Sequence, residues 1–160
     1  MIDLSSTPII LLVILGSVGV ALPVVNIAFK EKGSVLSYGA ITLAAMFGSI
    51  GYVLYQLALD HVAPAAIFSS DVLVDDAFGA LFAIAMLIVA IFTTVGSFSY
   101  MKNKANPSVY FSLILLSTIG MVLVAYSTDL VMLFIAWELM SIPTYILVGF
   151  LKKDPISNEA

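Results

Sequence analysis

Five long apolar runs govern what this chain can become: Pro8–Phe29, Leu36–Leu59, Ala77–Tyr100, Val109–Tyr126 and Leu130–Leu151. Each is near the roughly 20 residues that cross about 30 Å of hydrocarbon. No water is available there to the backbone, so each run must close its own N–H and C=O groups, as a helix does. The fourth run is the shortest and is expected to borrow flanking residues. The runs are continuous, whereas a barrel strand alternates apolar and polar positions over about 10 residues. The chain is 62% hydrophobic and 10% charged, against about 25% charged in soluble domains. The reading is an all-α integral membrane protein with five transmembrane helices. The first run has no basic stretch before it and is read as a span rather than a signal peptide.

The same composition removes whole classes of function. A net charge of −4 gives no basic surface for nucleic acid. With no cysteine, disulfides, thiolate-held iron–sulfur clusters and cysteine zinc sites are excluded within the chain. The single histidine, His61, cannot supply both axial ligands of a haem. Gly16 and Gly19 lie inside an apolar helix rather than at a strand–helix turn, so they form no nucleotide-binding loop. No metal or cofactor site is expected in this chain.

The connections carry the orientation. Lys30 and Lys32 follow the first run, Lys102 and Lys104 the third, and Lys152 and Lys153 the fifth. All six lysines therefore fall at one membrane face, which the positive-inside rule makes cytoplasmic. The opposite face receives Asp3, Asp60, Asp71, Asp75, Asp76 and Asp129. The N-terminus is then outside and the C-terminus cytoplasmic. The longest connection, 60–76, is an acidic external loop containing Pro64 and an extended piece at Val72–Val74, a hairpin candidate. Small residues at Ala40, Ala44, Gly48 and Gly51, and at Gly79 and Ala83, are read as close-packing stripes between helices. Pro23 has no N–H for the carbonyl of Gly19 and should bend the first helix there. Asn26, about one turn on, is expected to hydrogen-bond to a neighbouring helix.

The fifth run holds the one charge found inside any span, Glu138. A carboxylate at that depth costs about 2.5–3.5 kcal/mol on insertion scales, and such residues by default mark a proton or ion path. Glu138, Ser141 and Tyr145 fall at i, i+3 and i+7, on one helical face, with Thr144 beside them. Pro143 leaves the carbonyl of Leu139 without its helical donor and weakens the turn next to the acid. Two plainer roles remain open, a protonated Glu138 hydrogen-bonded to another helix and a structural ion pair. None of the runs carries a lysine or arginine, so a cationic partner must come from elsewhere.

Three stretches point to a family. They are Tyr126-Ser-Thr-Asp-Leu, then Trp137-Glu-Leu-Met-Ser-Ile-Pro-Thr-Tyr-Ile-Leu-Val-Gly-Phe, then Lys152-Lys-Asp-Pro-Ile-Ser-Asn-Glu-Ala. Together they resemble subunit N of respiratory complex I and of the archaeal dehydrogenases that use a deazaflavin cofactor. The resemblance is specific over 109–160. Toward the N-terminus only helix spacing and the phrase Val74-Asp-Asp-Ala-Phe match, and Ser6-Thr-Pro-Ile stands where the family usually opens with an acidic Pro-Glu element. The resemblance implies an antiporter-like bundle whose inverted repeat begins at the fourth helix. Residues 1–106 would be the first three helices and 107–160 the start of the repeat, in a longer subunit.

It implies further that Glu138 corresponds to the family's fifth-helix glutamate. That residue is thought to pair with a lysine on a broken later helix and to move protons outward in response to quinone reduction. The implied role is a non-redox membrane subunit of a proton-translocating oxidoreductase in the cytoplasmic membrane. Its partners would be the lipid bilayer and other membrane subunits, including sister antiporter-like ones. Quinone or methanophenazine, flavin and iron–sulfur clusters would reside in those partner subunits. A subunit of a sodium/proton antiporter and a purely structural membrane subunit are the alternatives.

Overall fold

The computed structural model describes residues 6–29, 34–59, 72–102, 104 and 106–150. They form five helices: α1 (Thr7–Phe29), α2 (Val35–Ala58), α3 (Ala77–Met101), α4 (Pro107–Tyr126) and α5 (Leu130–Val148). All five are long and apolar enough to cross a membrane, as the runs predict. The fourth does borrow upstream residues, starting at Pro107. Proline suits that place because the first-turn N–H has no helical partner anyway. Asn106 before it adopts the left-handed conformation, φ 58°, which asparagine tolerates better than most residues.

Acidic side chains start three of the helices. Asp76 Oδ1 accepts the Gly79 N–H at 2.7 Å, opening α3. Asp129 Oδ2 accepts the N–H groups of Val131 and Met132 at 2.9 and 3.2 Å, opening α5. For α1 the acid comes from far along the chain, as Asp75 Oδ2 accepts the Thr7 N–H at 2.7 Å. The N-termini of α1, α3 and α5 therefore share one end of the bundle. A carboxylate there satisfies an orphan donor and opposes the positive end of the helix dipole. The aspartate bias of that face thus has a structural cause independent of orientation. Replacing Asp76 with alanine is expected to cost about 1 kcal/mol, read as a lowered midpoint in thermal unfolding in detergent micelles.

The expected extended piece at Val72–Val74 is present, with a different partner from a hairpin of its own loop. Val74 N–H donates to the Tyr126 carbonyl at 3.0 Å and Thr128 N–H to the Val72 carbonyl at 3.2 Å. One isolated antiparallel bridge, Leu73 with Ser127, results. It ties the α2–α3 connection to the α4–α5 connection. Residues 60–71, with Asp60, His61, Pro64 and Asp71, lie outside the described residues.

Helix α4 is the hub and touches each of the other four helices. Phe111, Leu115, Ile119, Val122 and Tyr126 along it are buried. Polar residues of the core bond back to their own helix: Thr42 to the Tyr38 carbonyl at 2.9 Å, Ser49 to Ala45 at 2.8 Å and Thr94 to Ala90 at 2.8 Å. That local bonding makes their burial in an apolar bundle affordable. The carbonyl of Gly19, which Pro23 deprives of a helical donor, accepts a hydrogen bond from Ser112 Oγ of α4. Asn26 finds the expected neighbour, with Tyr38 OH of α2 donating to its Oδ1 at 2.8 Å.

The small-residue stripes divide. Gly79 and Ala83 are buried, and a methyl on Gly79 would sit 2.7 Å from Tyr126 Cδ1. Ala40, Ala44, Gly48 and Gly51 instead face outward, a correction to the packing role assigned above. α2 buries Thr42, Ala45, Met46, Ser49 and Val53. Thr42 is two residues from Ala40, about 200° around the helix. Met46 reaches Thr94 of α3, and the small residues that do pack on this face are Gly39, Ala45 and Ser49 rather than the predicted stripe.

Candidate functional site in the fifth helix

Asp129 caps α5, and Pro143 lies buried in its interior. The helix is seated on α4 through backbone contact. A methyl added at Gly120 would lie 2.7 Å from Met140 Cα and 2.8 Å from Met140 Cβ. Only a residue without Cβ permits that approach.

The approach gathers hydroxyl groups at the turn preceding Pro143. Thr144 Oγ1 donates to the Met140 carbonyl at 2.8 Å. Ser117 Oγ of α4 lies 3.2 Å from that carbonyl and 3.2 Å from Thr144 Oγ1. Ser141 Oγ donates to the Trp137 carbonyl at 2.8 Å and is nearly buried. The Ser117–Thr144 contact can run in either direction, whereas the bonds to the Met140 and Trp137 carbonyls are fixed, because a carbonyl only accepts. Ser141, Thr144 and Tyr145 line one groove with Thr93, Ser117 and Thr118. The Leu139 carbonyl, freed by Pro143, receives no side-chain donor among the described residues; the hydroxyls converge on its neighbour Met140 instead. Ser117 escaped the sequence reading. Its signal was weak: a Ser117–Thr118 pair followed by Gly120, midway along an apolar run.

Glu138 is separate from this cluster. Met140 meets α4, and Glu138 precedes it by two residues, about 200° around the helix. The acid therefore leaves α5 on the side away from α4. It is half-buried and has no hydrogen-bond or ion-pair partner among the described residues. Tyr145 shares that open side and is 72% exposed. Trp137 and Ile142, at 57% and 53% exposed, flank it. Glu138 and Tyr145 thus share a face as expected, while Ser141 turns toward α4. An ionised carboxylate on a hydrocarbon-facing surface is unfavourable, so this face calls for a covering element. Among the described residues no group of three or more His, Asp or Glu side chains is placed to hold a metal.

Comparison with known proteins converges on one group. Residues 127–160 match the family described as NADH:quinone oxidoreductase/Mrp antiporter, transmembrane segment. Over 96% of its length the chain is 33% identical to NADH-quinone oxidoreductase subunit N 1 of Solibacter usitatus, covering 30% of that protein. It is 32% identical to subunit N of Desulfitobacterium hafniense over 99% of the chain and 31% of the relative. It is 33% identical to F(420)H(2) dehydrogenase subunit N of Methanosarcina mazei over 81% of the chain and 26% of the relative. The chain spans about three tenths of the length of these curated relatives. It is a multi-pass membrane protein related to the N subunits of NADH-quinone oxidoreductases and F(420)H(2) dehydrogenase, and its 127–160 region matches the transmembrane segment of the NADH:quinone oxidoreductase/Mrp antiporter family.

Proposed function

We propose that this chain acts in an antiporter-like, proton-translocating membrane subunit of a complex I-type oxidoreductase, with Glu138 as its relay carboxylate. The observation that supports this most is the placement of Glu138. It is the one acid within any of the five helices, it lies inside the family-matched region, and it faces the side of α5 that no described helix covers. A cationic group brought to that side from beyond the described residues would pair with an ionised Glu138, and its withdrawal would leave the acid to take up a proton, since an unpaired charge in the membrane is costly. Alternating between the two states takes up and releases one proton. Tyr145, on the same open face as Glu138, offers a hydroxyl to which a proton can pass, and the turn weakened by Pro143 gives water a carbonyl to bond; the Ser117, Ser141 and Thr144 hydroxyls lie on the α4 side, apart from that face.

On this reading the lysine-bearing ends face the cytoplasm, and the electron carriers (flavin, iron–sulfur clusters and quinone or methanophenazine) sit in partner subunits. The test is Glu138→Gln in the full-length subunit, assembled in its complex and reconstituted in proteoliposomes. Proton uptake driven by electron transfer should fall severalfold, with electron transfer reduced less, and Glu138→Asp should retain part of the activity. Unchanged pumping in Glu138→Gln would leave the chain a structural role. The family description also names antiporters, which favours a second reading as a sodium/proton antiporter subunit. Sodium-22 uptake that tracks the Glu138 variants, without electron transfer, would select it.

A further inference from the structure

A cleft of about 350 Å³ opens where the start of α3 meets the end of α4, and its two ends differ in chemistry. The polar end is built by Asp76 and the last turn of α4. Asp76 commits Oδ1 to the Gly79 N–H at 2.7 Å, and its Oδ2 has no partner among the described residues. The Ala125 carbonyl, one of the last four of α4, also accepts no hydrogen bond among them. The two groups flank one point: a Cβ on Gly79 would stand 2.8 Å from Asp76 Oδ1 and 3.0 Å from the Ala125 oxygen. A carboxylate and a carbonyl accept and do not donate. The C-terminal end of α4 adds the negative pole of its dipole. This end of the cleft therefore suits a cation that carries N–H donors.

The other end is hydrocarbon. Phe78, Phe82 and Met86 line the cleft from α3 and Met121 lines it from α4. The three α3 residues fall at i, i+4 and i+8, on one helical face. The Phe78 and Phe82 rings pack with centroids 4.6 Å apart and are 62% and 42% exposed. From Asp76 to Met86 the chain rises about 15 Å, roughly half the hydrocarbon thickness of a bilayer. The apolar wall thus starts at the charged end of a span and runs to the depth of the lipid chains.

We propose that this cleft binds one amine-headed phospholipid. Its ammonium bonds Asp76 Oδ2 and the Ala125 carbonyl, and an acyl chain lies over Phe82 and Met86. Charge complementarity fixes the head, and the apolar wall that continues from it fixes the tail. A choline head brings the same charge without an N–H donor, so it leaves both acceptors unbonded. The site is formed by α3 and α4 and does not depend on Glu138 being a relay.

The test places a photoreactive side chain on the wall, Phe82→p-benzoylphenylalanine, in the full-length subunit assembled in its complex. The complex is reconstituted in phosphatidylglycerol vesicles that also contain either phosphatidylethanolamine or phosphatidylcholine, each with the same tritiated acyl chains. Illumination should label position 82 severalfold more with phosphatidylethanolamine. Adding Asp76→Asn removes the charge and keeps an oxygen for the Gly79 N–H, and labelling should fall to the phosphatidylcholine level. Equal labelling by the two lipids, or a preference that survives Asp76→Asn, overturns the proposal. Cross-linking of position 82 to another helix with no lipid labelled also overturns it, because protein then fills the cleft.

Discussion

Gly120→Leu is expected to detach α5 from α4. The place a Cβ would occupy lies among the backbone and Cβ of Met140. No side-chain rotation can clear it, because the obstructing atoms belong to a helix backbone. Ordinary overpacking of a core costs about 1–3 kcal/mol through shifted side chains. Here whole helices must part, so the cost should reach or exceed the upper end of that range. α5 has no comparable second seat, since its principal packing partner in the structure is α4. The native chain has no cysteine, which permits a clean measurement. Ser117→Cys and Thr144→Cys place two thiols where hydroxyl oxygens now stand 3.2 Å apart. Oxidation should cross-link this pair efficiently in the Gly120 background and poorly in Gly120→Leu. Gly120→Ala should fall between them. Equal cross-linking in all three would mean that the helices do not rely on this contact.

The membrane class and the five spans were legible because they rest on one-dimensional properties. An uncharged run of span length has few alternatives once water is absent, and a lone acid within such a run stands out without any knowledge of packing. What the sequence could not convey was which way each helix turns. α2 illustrates this: its small-residue stripe looked like a packing seam, yet Met46 and Thr42 occupy the seam and Ala40, Ala44 and Gly48 face outward. Hydropathy offers no discrimination, because lipid-facing and protein-facing surfaces are both apolar. Ser117 was hidden for a similar reason, as its partner Thr144 is remote in sequence and meets it only through the Gly120 approach. The 60–76 connection was read as an acidic external loop, and its last two aspartates, Asp75 and Asp76, are tied to the starts of α1 and α3.

Pro23 allowed the most specific reading, and it leads to a second large effect, a rescue. Proline at position 23 has no N–H, so the Gly19 carbonyl lacks its helical donor. Ser112 of α4 fills that place with its hydroxyl. Ser112→Ala should therefore leave a buried carbonyl unsatisfied, a loss of about 1–3 kcal/mol by the cost of an orphaned polar group. Hydrogen bonds between transmembrane helices often contribute less, about 0.6 kcal/mol on average, because the unfolded chain in the membrane finds other partners. The Gly19 case should lie above that average, since the competing donor has been removed covalently. Pro23→Ala restores an N–H at position 23 and so gives Gly19 its helical bond back. The double variant should then be more stable than Ser112→Ala alone, by an amount exceeding the effect of Pro23→Ala in the native background. Reversible unfolding of the four proteins in mixed micelles measures this as a coupling energy. Simple additivity would show that the hydroxyl of Ser112 is not standing in for the missing backbone donor.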